Sequence, residues 1–186
     1  MQKDKMLKRN LMYTLLLSAA MMLAIYAALG IMPFGDNTVL TGDLNGLYVP
    51  HYAGFHDALT SGGGLTFNLE KSLGGNMLGL FASPFSSPFF LLYLFFSPEK
   101  YGVVTTVILA CKIILACLSM CVFVTKRFPT LCAHAITMSL CYGFMAYNLA
   151  YAQNEMWLDI VILLPLIALC IERILDNKSF VLFSLC

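Results

Sequence analysis

The uncharged run Leu11–Met32, preceded by Lys3, Lys5, Lys8 and Arg9, limits the fold more than any other stretch. At ~1.5 Å per residue a helix over it reaches ~33 Å, enough to cross the hydrocarbon core of a bilayer. It is too long for the apolar part of a signal peptide, roughly 7 to 15 residues, and no polar cleavage region follows it. Such a segment needs lipid as its solvent, and the composition agrees. Hydrophobic residues make up 60% and charged residues 11%, against roughly a quarter charged in soluble domains. The implied class is an all-α integral membrane protein.

Spans are expected at about 11–33, 102–125, 130–150 and 157–173, with a fifth beginning at 179. That last apolar stretch stops after "SFVLFSLC", which implies the N-terminal part of a larger protein, with 1–186 as a single membrane domain. The loop 34–100 is expected to carry two interfacial helices, about 44–60 and 78–96. The ambiguous stretch is "LFASPFSSPFFLLYLFF", Leu80–Phe96, with Pro84 and Pro88 inside it. If it crosses, Lys71, Lys126, Arg127, Arg173 and Lys178 all fall outside. If it stays in the outer interface, only Lys71 and Lys100 do. The positive-inside rule prefers the second layout, as do the prolines, because a broken helix is better tolerated at an interface.

The N-terminus then lies in the cytoplasm, and Asp36, Asp43, Asp57, Glu70, Glu99, Glu155 and Asp159 lie outside, seven of the ten acidic residues. Chemistry should be sought on that outer face. A net charge of +1, with basic residues in short clusters at the ends of apolar runs, argues against a nucleic-acid partner. All seven cysteines sit in apolar stretches with no CxxC pair, which reads as small hydrophobes in a bilayer.

Between Leu44 and Leu59, Leu44, Leu47, Tyr48, Tyr52, Phe55 and Leu59 fall within an arc of ~140° on a helical wheel. The pattern predicts an amphipathic helix on the membrane surface, begun or kinked by Pro50 and ended by Gly62–Gly64. Asp43 stands just before it, either as an N-cap or as a general base at the membrane surface. The two roles compete for the same oxygens. His51 and His56 have i, i+5 spacing, a weak zinc pattern, so His51 reads as packing and Asp57 as a solvated charge.

Glu70 and Lys71 precede the second surface segment at head-group depth, where Lys71 either snorkels or meets a lipid phosphate. Lys112 lies mid-span, a costly place for an ionisable group and hence a functional candidate. "AQNEMWLD", 152–159, returns Glu155 and Asp159 to the outer face, as an aromatic-belt loop or as the second carboxylate wall of a site.

Taken in order, "MPFGDNTVLTGDLNGLYVPHY", "KSLGGNMLGLFASPFSSPFFLL" and "NEMWLDIVILLPLIALCIERI" resemble the bacterial YfhO-type family. More broadly, the arrangement looks like the GT-C class of polyprenyl-dependent membrane glycosyltransferases. The resemblance covers Leu11 to Leu175. It implies a GT-C-like helical bundle, a polyprenyl-phosphate-linked sugar as donor, and an extracytoplasmic envelope polymer of teichoic-acid type as acceptor. It implies Asp43 as the catalytic carboxylate and Lys71 as the contact to the donor phosphate. Asp36 is the second candidate acid, because Asp43 is followed by Leu44 where protein mannosyltransferases carry a "DE" pair. Tyr48, His51, Glu70 and Lys112 complete the substrate-binding candidates. A divalent cation, Mg or Mn, held by Glu70, Glu155 or Asp159 would assist the leaving phosphate. The rival expectation is a transporter or flippase of a lipid-linked envelope precursor, with Lys112 in its path.

Overall fold

The computed structural model describes residues 2–60, 64–67, 69, 74–82 and 84–176. Among them every regular element is helical, and an isolated bridge pairs Ile31 with Asn37. The chain forms two compact units. One comprises the part up to Ala28, Ala110–Ala152 and the part from Trp157; the other comprises Leu29–Leu109 with Gln153–Met156.

In the first unit, α1 (Gln2–Ala28) is 27 residues long. Its buried face runs Asn10, Thr14, Ser18, Met22 and Tyr26, four residues apart, whereas Met12, Leu15, Leu16 and Leu23 are exposed. That is the reverse of a water-soluble helix. Lipid supplies no hydrophobic force between helices, so close packing and polar pairing decide which face turns inward. Asn10 Nδ2 donates to the Cys132 carbonyl at 2.9 Å where α1 meets α5 (Ala135–Gly143).

The helix stops at Ala28, short of the expected 33. Gly30, at φ +60°, turns the chain in a conformation that a Cβ would strain. Asn37 then closes the turn: its side chain donates to Leu29 O at 2.7 Å and its backbone N–H to Gly30 O at 3.0 Å.

Helix α4 (Tyr101–Arg127) is also 27 residues, ~40 Å of helix, and includes the stretch 102–125. It and α1 are the two helices among the described residues long and apolar enough to cross a membrane. The span expected at 130–150 is not continuous. It divides into α5, of 9 residues, and α6 (Ala146–Ala150), of 5. Asn148 causes the break: its Nδ2 donates to Tyr142 O at 3.0 Å and to Gly143 O at 2.9 Å, satisfying carbonyls that a longer helix would have bonded. Gly143 also lies so close to Cys117 of α4 that a Cβ there would collide with the sulfur, the small-residue contact membrane helices favour.

Helix α7 (Trp157–Leu175) has Pro165 inside it. A proline cannot donate to the carbonyl four residues back, here Val161. The Tyr142 hydroxyl donates to that carbonyl at 2.7 Å, so the orphaned acceptor is satisfied from α5. Arg127 Nε meets Glu172 Oε1 at 2.6 Å, joining the last turns of α4 and α7.

In the second unit, the helix expected at 44–60 is present as a π turn, Leu44–Tyr48, running into α2 (Val49–Thr60). Val49 N–H reaches back to Leu44 O, and the widened turn accommodates Pro50, which has no N–H to give. The second expected helix, 78–96, is broken. It consists of 3-10 turns Leu78–Ala82 and Pro84–Ser86, then α3 (Phe90–Tyr93), because Pro84 and Pro88 interrupt the donor ladder.

The Tyr142–Val161 bond yields a double-mutant test. Tyr142→Phe is expected to cost about 1 kcal/mol in thermal unfolding of the detergent-solubilised protein. In a Pro165→Ala background, where the backbone supplies its own donor, the same change should cost clearly less.

Candidate functional site

The apolar arc of the π turn and α2 is covered by protein rather than lipid. Leu44, Tyr48, Tyr52, Phe55 and Ala58 are buried, while Leu47 at the arc's edge and Leu59 in the last turn are exposed. Tyr52 packs on Tyr93, ring centroids 4.4 Å apart, and on Phe90 at 5.4 Å; Phe55 meets Phe85 edge-on at 4.9 Å. Phe85 and Phe90 stack at 4.3 Å, and Tyr101 closes the cluster edge-on against Tyr93 at 5.0 Å. Each such pair contributes about 0.5–1.5 kcal/mol beyond the area it buries.

One carboxylate sits against this cluster. Glu155 is 1% exposed; its Oε1 accepts from the Tyr52 hydroxyl at 2.7 Å and its Oε2 from the Tyr93 hydroxyl at 3.3 Å. Tyr93 also shares a 2.8 Å hydrogen bond with Thr105 of α4, whose hydroxyl bonds the Tyr101 carbonyl at 2.7 Å. Burial first, and the Glu155 charge second, push both tyrosine hydroxyls above the usual phenol range, so they stay protonated donors. The network joins α2, α3, the start of α4 and the 153–155 segment.

That segment runs alongside the loop that leads into α2. Gly42 lies against the Gln153 side chain, Tyr48 donates to Asn154 Oδ1 at 2.9 Å, and Tyr52 donates to Glu155. The contacts advance together along both segments, 42 to 153, 48 to 154 and 52 to 155. They place "GDLNGLYVPHY" and "QNEM" side by side. Gln153, Asn154, Tyr52 and Tyr93 were absent from the sequence-derived site. Their one signal was a cluster of polar residues, 153–155, inside an apolar stretch.

Asp43 opens the π turn and is exposed. Its backbone is already helical, φ −64° and ψ −27°, and its side chain makes no capping hydrogen bond. An N-cap needs an extended backbone to swing its oxygen onto the first free N–H groups. The N-cap reading therefore gives way, and the carboxylate is left open. Asp36 is exposed in the loop after α1, His51 is half-buried, and Tyr48 is buried. Glu70 and Lys71 lie outside the described residues.

Lys112 belongs to the first unit. Its Nζ lies 3.1 Å from Asp159 Oδ1, with the lysine fully buried and the Asp159 side chain 19% exposed. This is the partner the sequence could not name. Removing one member of such a pair typically costs about 3–5 kcal/mol, so the pairing gives this mid-helix charge a structural role.

Of the carboxylates expected to hold a cation, Glu155 and Asp159 belong to different units, and Glu70 lies outside the described residues. The first is engaged by two tyrosine hydroxyls and the second by an ammonium. Among the described residues no three His, Cys, Asp or Glu side chains come together to hold a metal.

Residues 14–186 match the family model described as "Bacterial membrane protein YfhO". No curated protein and no solved structure matches the chain.

The Glu155 network predicts an ordered series of losses. Tyr52→Phe removes one bond and should lower stability by about 1–2 kcal/mol. Glu155→Ala takes this acceptor from both hydroxyls, Tyr93 keeping its bond to Thr105, and should cost more, about 2–4 kcal/mol. Thermal melts of the purified protein in detergent check the order.

Proposed function

The chain belongs to the YfhO family of bacterial membrane proteins, and on that premise we propose that it is a GT-C-type membrane glycosyltransferase with Asp43 as its general base. The donor is a polyprenyl-phosphate-linked sugar, and the acceptor is a hydroxyl of an extracytoplasmic envelope polymer of teichoic-acid type. One observation supports Asp43 in particular: its carboxylate is exposed and makes no capping bond, although it stands at a helix start where Asp commonly caps.

In an inverting transfer the acceptor oxygen attacks the anomeric carbon as its proton passes to Asp43. The bond from that carbon to the phosphate oxygen breaks, and polyprenyl phosphate departs. Lys71, by its place in the family pattern, neutralises the departing phosphate. No step is assigned to a metal. Asp43 is held in place by the segment it opens: Gly42 is pressed against Gln153, and Tyr48 and Tyr52 are bonded to Asn154 and Glu155. A base held this way meets the acceptor without a search through loop conformations.

The orientation that follows puts the N-terminus in the cytoplasm and Asp43 outside, with α4 carrying the chain back across. Reporter fusions should find Lys100 extracytoplasmic and Arg127 cytoplasmic. Both ends on one side would reject the layout.

Asp43→Asn in the full-length protein should lower sugar incorporation into the envelope polymer by roughly 100- to 10,000-fold, the range for loss of a general base. Normal incorporation by a well-expressed variant rejects the assignment, and a loss confined to Asp36→Asn moves the base to Asp36.

A further inference from the structure

Gly42 and the Gln153 side chain lie in close approach. Gly42 has φ +51°, a conformation favouring glycine, and a Cβ built on it would collide with the Gln153 amide oxygen. The amide nitrogen lies farther from that point, 3.7 Å against the closer oxygen. The very next residue is Asp43. The half-buried Gln153 side chain thus lies against the residue that immediately precedes the exposed Asp43.

The flanking residues hold Gln153 in place. Asn154, 6% exposed, accepts the Tyr48 hydroxyl, and Glu155, 1% exposed, accepts those of Tyr52 and Tyr93. The backbone on that side of Gln153 is thus anchored at two successive residues. Its own amide forms no hydrogen bond with another described residue.

The chemistry of the pair is complementary. A carboxylate only accepts, whereas a primary amide also donates two N–H groups. A hydroxyl set between them can give its proton to the carboxylate while accepting from the amide. We propose that Gln153 binds the acceptor hydroxyl beside Asp43, which makes it a substrate-contacting residue; the inference rests on the glycosyltransferase reading. As the proton moves to Asp43 and the new C–O bond forms, the amide N–H holds the attacking oxygen in line. Gly42 is glycine because its φ of +51° would strain any residue with a Cβ.

The test uses full-length protein in detergent, polyprenyl-phosphate sugar extracted from the host, and graded amounts of the host's purified teichoic-acid-type polymer. Gln153→Met keeps the length and packing against Gly42 but removes hydrogen bonding. It should raise KM for the polymer roughly 3- to 10-fold, the effect of one lost hydrogen bond, with kcat and melting temperature little changed. Gln153→Asn, which retains the amide on a shorter stem, should fall between Met and wild type. Wild-type KM in both variants overturns the proposal, as does a fall in kcat that tracks a lower melting temperature. Asp43→Asn is run beside them. If it alone is inactive while the Gln153 variants are normal, the base stands and this inference fails. If it is active while Gln153→Met still raises KM, the base assignment fails and the binding role stands. No transfer by wild type removes both.

Discussion

The Glu155 carboxylate, set between the Tyr52 and Tyr93 hydroxyls, is the interaction around which the second unit is organised. A carboxylate at 1% exposure costs several kcal/mol unless its oxygens are satisfied. The hydroxyls come from α2 and α3, and Tyr93 is itself bonded to α4 through Thr105. Three elements must therefore converge before the charge is tolerated. The aromatic rings that carry the hydroxyls also form the apolar cluster, so the polar and apolar contributions favour one arrangement. The exposed Asp43 and the half-buried Gln153 are positioned by what is buried next to them.

The first unit obeys a different solvent. Helix α1 turns Asn10, Thr14 and Ser18 inward and its leucines outward, and the Lys112 charge is met by Asp159. The carbonyl that Pro165 cannot serve is served by Tyr142, and the carbonyls ending α5 are served by Asn148. The Asn10 amide, the Lys112 charge and these carbonyls have each found a protein partner, whereas the Thr14 hydroxyl on the same face has none among the described residues. Where water is excluded, an unsatisfied backbone or side-chain group would be costly.

Much of this was legible from residues because it depends on local quantities. The long helices α1 and α4 follow from long apolar runs, and the π turn with α2 follows from periodic Leu, Tyr and Phe positions. The misses have a common cause. The stretch 130–150 has enough apolar residues for one span, but Asn148 folds back onto Tyr142 and Gly143, a contact that composition does not encode. The stretch 78–96 has apolar length too, and its prolines cut it into short turns.

For the candidate site the division is similar. Asp43, its place after the first apolar helix, and the helix that follows it were apparent in the order of residue types. Whether Asp43 capped that helix or stood open depended on its backbone dihedrals, which the arrangement of the surrounding loop sets. Hydropathy and spacing report on one segment at a time. The pairing of 42–52 with 153–155, like that of Lys112 with Asp159, joins residues far apart in the chain, and that pairing arises only when burial forces distant polar groups to satisfy one another.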